Sequence, residues 1–203
     1  MKLVPILLAA STLLADAGPR LVYSKSFPGS KPAWCGITVE KNGESLYKEE
    51  PNDENPLRFR MTESDAAEMF ALAAKLDRFK RPLESGLKVA MMGIKTFRIE
   101  EGDERREVKF NYSEDLDARA LQDWFERISE TEQHFINLER AVKYDKLGVN
   151  AAILQLQVTI DRKRLIAPEQ FLPLLDRVAR NDSYLNMARS RAAGLAEAFR
   201  AQK

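Results

Sequence analysis

The chain has 203 residues, with 32 Lys and Arg against 31 Asp and Glu and a formal charge of +1. Hydrophobic residues make up 44% and charged residues 31%, which excludes a collagen-like, low-complexity or globally disordered chain. The overall basic bias of a nucleic-acid-binding protein is missing as well.

The first 17 residues read as an export signal. Met1 and Lys2 supply a positive start, and residues 3–14 are an apolar run broken by Pro5, Ser11 and Thr12. Ala15-Asp16-Ala17 then presents the small-x-small pattern of a cleavage site. The run is shorter than the roughly 20 residues that cross a bilayer, and no later segment reads as a transmembrane span. The expectation is an exported bacterial protein, periplasmic or extracellular, that begins near Gly18.

Residues 18–112 read as a β-rich α+β domain. Leu21, Tyr23 and Phe27 fall on one face of a first strand. Cys35, the lone cysteine, precedes the alternating Ile37 and Val39, so it is expected to be buried and inert, with no internal disulfide. Trp34 and Tyr47 suit either an aromatic binding platform or the core of a sheet. Asn42-Gly43 between two strand patterns predicts a hairpin, because both residue types tolerate positive φ. Residues 49–56 form an acidic loop that lacks the spaced ligands and central glycine of a calcium-binding loop. Leu57, Phe59 and Met61 alternate into Thr62, which predicts a helix capped by Thr62 with Asp65 three residues on. Its buried face is Ala66, Met69, Phe70, Ala73 and Leu76. A second hairpin follows, with Phe97 and Ile99 before Glu101-Gly102-Asp103 and with Val108, Phe110 and Tyr112 after it.

The two strand-to-helix units align at a constant offset of 51, with Thr62 opposite Ser113. Two readings stay open, an internal duplication or the generic look of a strand feeding a capped helix. Either implies one mostly antiparallel sheet with helices on one face.

Residues 113–203 read as all-helical. Leu121, Trp124, Ile128, Thr131, Phe135, Leu138 and Val142 make a heptad seam with one polar member. Gly148 marks a stop. Three shorter helices follow, the first carrying Ile153, Leu156 and Ile160. The second begins at Pro168 and carries Phe171, Leu174, Leu175 and Val178. The third follows Asn181-Asp182-Ser183, with Tyr184, Ala188, Ala192, Leu195 and Phe199 on one stripe. Residues 140–203 hold 12 Lys and Arg against 6 Asp and Glu, a net of +6, which leaves −5 on residues 18–139. That asymmetry suits an attraction between the halves, a basic face for an acidic partner, or merely solvated helix surfaces.

The segment Trp34-Cys35-Gly36-Ile37-Thr38-Val39-Glu40-Lys41-Asn42-Gly43, with Tyr47 and the Thr62-capped helix beyond it, resembles small uncharacterised bacterial exported domains. In those a Cys-Gly element precedes a strand, a glycine turn and a second strand, often with a second Cys that is missing here. The resemblance covers the first third of the mature chain. It implies export and a β-rich N-terminal half, and brings no assigned activity and no catalytic residue.

His134 is the single histidine, which removes every metal motif built on two or more. It lies on the long helix one turn after Glu130 and reads as structural or surface. Thr131 stands where a helical di-iron signature needs Glu. Neither a glycine-rich phosphate loop nor a Gly-x-Ser-x-Gly elbow is present. No catalytic, metal or cofactor residue is assigned. The interaction candidates are Trp34, Cys35 and the basic run Arg162, Lys163 and Arg164 between two helices. The leading expectation is a non-enzymatic binding or scaffold protein of the bacterial envelope. Its partner would be an envelope protein or the cell-wall surface, met through residues 113–203. It would be monomeric or weakly self-associating through the heptad seam, with no nucleic acid and no cofactor. The alternative is an exported hydrolase using paired carboxylates on the β-rich half.

Overall fold

A computed structural model describes residues 18–201, so the export signal expected at 1–17 lies outside the described residues. Alternation in the N-terminal half yields six antiparallel strands: β1 (Arg20–Ser26), β2 (Trp34–Glu40), β3 (Glu44–Lys48), β4 (Leu57–Arg60), β5 (Ile94–Glu101) and β6 (Glu104–Phe110). They form a single sheet in the order β4-β3-β2-β1-β5-β6, which makes the fold α+β. The two strand-to-helix units lie at opposite edges, where β4 leads to helix α1 (Glu63–Lys75) and β6 to helix α2 (Leu116–Tyr144).

Because side chains alternate across a strand, one residue in two points to the helices. Leu21, Tyr23, Ile37, Val39, Tyr47 and Phe97 do so, and each is almost fully buried. Tyr23 stacks on Phe125 of α2 with ring centroids 4.7 Å apart, and Phe97 lies 5.5 Å from Phe79. Burying each such side chain contributes about 2 kcal/mol, enough to seat α2 across the middle of the sheet. Phe27, expected on the same face, lies just beyond β1 and is only half-buried.

Local chemistry sets the element ends. Thr62 Oγ1 accepts from the Asp65 amide at 3.1 Å, as the capping pattern predicts. The long helix starts two residues later than the Ser113 cap implied by the alignment. Asp115 caps it instead, its Oδ1 accepting from the Asp117 and Ala118 amides at 2.9 and 3.0 Å. The β2–β3 turn also differs from a two-residue Asn-Gly turn. Lys41, Asn42 and Gly43 form a three-residue loop in which Gly43 alone takes positive φ, at +83°. A Cβ on Gly43 would strike the Met61 carbonyl, so that site needs glycine on steric grounds too.

After α1 the chain makes a left-handed turn. Asp77, Arg78 and Phe79 have φ of 52°, 51° and 63°. Buried Phe79 and an Arg78–Glu101 ion pair hold it in place.

The C-terminal helices are α3 (Val149–Asp161), α4 (Leu172–Ala179) and α5 (Asn186–Ala201). A short 3₁₀ turn, Pro168–Phe171, precedes α4. The seam of α2 serves two cores. Leu121, Trp124 and Ile128 pack with the sheet and α1, and Leu138 and Val142 pack with the other helices. The stripes of Ile153 and Leu156, Leu175 and Val178, and Ala188, Ala192 and Phe199 close that second core. The Tyr184 hydroxyl donates to the Val142 carbonyl at 3.0 Å and fixes the start of α5. Among the described residues no helix is long and apolar enough to cross a membrane.

Candidate functional site

Among the described residues, no helix packs on the face of the sheet turned away from α1 and α2. Its register can be read straight across all six strands. One row is Arg58, Leu46, Thr38, Val22, Arg98 and Glu107. The next row is Lys48, Gly36, Ser24, Thr96 and Lys109. The middle of the face is therefore small and uncharged, with hydroxyls from Thr38, Ser24 and Thr96, while cations stand at its margins.

Trp34 is on this face, since Cys35 beside it points inward. The outer edge of its six-membered ring abuts Gly36, where a Cβ would collide with Trp34 Cη2. Glycine at 36 thus lets the indole lean over the strand and form a wall. A cleft of about 300 Å³ opens there, lined among others by Trp34, Thr38, Leu46, Lys48, Pro51 and Arg98. It shares Thr38 and Leu46 with a neighbouring cleft of about 450 Å³ that adds Glu40, Glu44, Arg58 and Arg60. The cations differ in how they are held. Lys48 Nζ donates to the Asp53 carbonyl at 2.9 Å, and Arg98 bridges Glu100 at 2.8 Å and Glu107 at 4.0 Å. Arg58 is exposed, and among the described residues no carboxylate lies within ion-pair distance of it. An aromatic wall, a hydroxyl-bearing floor and a cationic margin suit a ligand with apolar C–H faces, hydroxyls and negative charge.

Glu40 and Glu44 stand at the two ends of the β2–β3 turn, since the register pairs Val39 with Ser45 just before it. This brings two carboxylates to the larger cleft. Both are exposed, and Arg60 pairs across the ladder with Glu44.

The other sequence candidates lie elsewhere. Cys35 is buried beneath the sheet. Burial pushes its thiol up, against smaller opposing effects from a Ser129 hydrogen bond and from Lys25. That disfavours the thiolate a nucleophile needs. Arg162, Lys163 and Arg164 do not form one basic face. Arg164 turns back to α2, with Nε 2.8 Å from Glu130 and a terminal nitrogen 2.9 Å from Asp123. Lys163 takes φ +56° where α3 ends, leaving it and Arg162 exposed. Arg164 thereby realises the attraction between the acidic and basic parts of the chain.

His134 belongs to the same clasp. Its Nε2 lies 2.8 Å from Thr159 Oγ1, and that hydroxyl also donates to Glu130 at 3.2 Å. Burial lowers the His134 pKa and nearby Glu130 opposes the shift. Since Thr159 is 2% exposed, this trio joins α2 to α3 and offers no open nucleophile. Sequence reasoning missed Glu132, which is fully buried beside Gln170. Among the described residues no group of three or more His, Cys, Asp or Glu is arranged to hold a metal ion.

A scan against protein-family models and a search of curated proteins found no match to this chain.

Proposed function

We propose that this chain is an exported, non-enzymatic binding protein of a bacterial envelope whose open sheet face takes an acidic glycan of the cell wall. The observation that carries the reading is the Trp34 wall over Gly36, set beside hydroxyls and cations on an uncovered face. A sugar ring would pack its C–H groups on the indole. Its hydroxyls would meet Thr38, Ser24 and Thr96, and its carboxylates Lys48, Arg58 and Arg98. The sequence pointed instead to residues 113–203 as the contact surface. The apolar stripes of those helices pack into the two cores, and the reading rests on the sheet face instead. The expectation of export rests on the pattern of residues 1–17.

Calorimetric titration with soluble, carboxylate-bearing cell-wall fragments tests the reading. Trp34→Ala and Arg58→Ala are expected to weaken binding about tenfold each, the value of one good contact. Unchanged affinity in both variants would refute it.

Glu40 and Glu44 carry a second reading, glycan hydrolysis by a carboxylate pair. Release of shorter fragments during the titration, lost in Glu40→Gln and Glu44→Gln, would establish it. Their exposure favours binding over catalysis, because a general acid is usually sheltered so that it keeps its proton.

A further inference from the structure

The irregular segment 81–93 joins the left-handed turn to β5 and leaves a run of large apolar side chains in water. Leu87, Val89, Met91, Met92 and Ile94 are 51%, 40%, 62%, 54% and 40% exposed. Scattered exposed apolar residues are ordinary, whereas four on one loop with a fifth at the start of β5 mark a contact surface.

The loop is tied along the end of the sheet by hydrogen bonds. Asn111, just after β6, anchors it. Its Oδ1 accepts from the Met92 amide at 2.8 Å, and its Nδ2 donates to the Ala90 carbonyl at 3.1 Å. The Asn111 amide donates to Glu84 at 2.6 Å, and the Ser85 amide to the Tyr112 carbonyl at 2.9 Å. Lys95 Nζ donates to the Asn111 carbonyl at 2.6 Å, so this cation secures the root of the loop. Gly86 and Gly93 turn the chain at φ +71° and +94°. Polar groups at the root are thus satisfied by the sheet end, while the apolar side chains remain 40–62% exposed.

Charge selects the occupant. Between Ser85 and Ile99 there is no Asp or Glu, and Lys88 is exposed in the middle of the loop. Arg119 lies beside Met92 and Tyr112 in a cleft that also holds Asp123 and Glu126. The nearest loop carboxylate, Glu84, is engaged by backbone amides, which lower its pKa. An exposed apolar loop with a lysine at its centre and no carboxylate between Ser85 and Ile99 matches an anionic lipid surface. Apolar side chains enter the headgroup boundary while cations meet phosphates.

We infer that segment 86–94 is a membrane-contact loop. Leu87, Val89, Met91, Met92 and Ile94 insert at the surface of a bilayer, and Lys88 and Arg119 favour anionic headgroups. Ile94 stands in register with Ser26 and Trp34, so the loop borders the open sheet face, and lipid contact at Met91 is read apart from glycan binding.

Co-sedimentation of the protein with phosphatidylcholine vesicles, with and without phosphatidylglycerol, tests the inference. The double variant Leu87→Asp and Met91→Asp is expected to weaken binding at least tenfold on both vesicles. Lys88→Glu is expected to weaken it only where phosphatidylglycerol is present. A polarity-sensitive dye on Met91→Cys reports the loop itself, and its emission is expected to shift to the blue on vesicles. No dye shift, or vesicle binding that the double variant leaves intact, overturns the inference. So does a dye shift that follows protein concentration without lipid, which would make a second copy of the chain the occupant.

Discussion

Gln170 donates to Glu132 Oε1 at 2.9 Å, and the pair leaves Glu132 Oε2 and Gln170 Oε1 buried with no partner. Burial, opposed only by the Gln170 hydrogen bond, pushes the Glu132 pKa from 4.5 up to about 7. The folded protein therefore holds this proton more tightly than the unfolded chain. Stability is unaffected by this group below the unfolded value and falls as pH rises through the window from 4.5 to about 7. The loss by pH 8 is about 3 kcal/mol. Glu132→Gln keeps an amide pair and removes the charge. It is expected to raise stability by about 2–3 kcal/mol at pH 8 and to change little near pH 4. Urea unfolding at the two pH values measures the difference.

His134 pulls the other way. Its pKa is lowered by burial, so the folded state disfavours the protonated ring, and its contribution is lost as pH falls below the ordinary value of 6.5. In a Glu132→Gln background, stability is expected to decline on acidification through this range. Thr159→Val leaves Nε2 of His134 without its partner and is expected to cost about 1–2 kcal/mol at neutral pH.

The Trp34–Gly36 contact makes a separate prediction. Gly36→Ala places a methyl group where the indole edge lies, so the ring must swing away. Stability is expected to change by less than about 1 kcal/mol, because alanine loses less backbone entropy in a strand than glycine. In a Trp124→Phe background, Trp34 emission is expected to shift and glycan affinity to fall. An unmoved spectrum would show that the ring is not positioned by this contact.

The left-handed turn stores strain. For an L-residue, positive φ costs about 1–2 kcal/mol, and among the described residues the Asp77 side chain has no hydrogen-bond or ion-pair partner that glycine would forfeit. Asp77→Gly is expected to raise the thermal midpoint, with a gain of up to about 1 kcal/mol by calorimetry. A lower midpoint would mean that the Asp77 side chain holds the turn.

Arg164 fastens the segment after α3 to α2. Its side chain is 30% exposed, as is that of Glu130, so solvent weakens both ion pairs. Arg164→Met is expected to cost about 1 kcal/mol, and added salt should shrink the difference.

Much of the architecture follows from sequence because it depends on neighbours along the chain. Tyr23 and Ile37 alternate, Thr62 precedes a helix, and the heptad of α2 repeats, each readable within a few residues. The duplication offset misplaced the second cap because two hydroxyl residues look alike, while Asp115 holds two amides. Arg162, Lys163 and Arg164 read as a basic run between two helices, and sequence does not show that Arg164 bends back to Asp123 and Glu130.

What the sequence by itself determined is the set of faces: which residues alternate, which form stripes, and where charge and glycine stand. Only the tertiary structure decided what covers each face. The helical stripes are closed against one another in the second core, and the sheet lends just one side to α1 and α2. Glu132 sits among polar neighbours in sequence, and it is buried because the turn Pro168–Phe171 folds over it from far along the chain. Trp34 looks like any strand aromatic until the fold places it on the face opposite α1 and α2, which no described helix covers. Burial is a property of contacts between distant segments, and those contacts turn a pattern of faces into a candidate site.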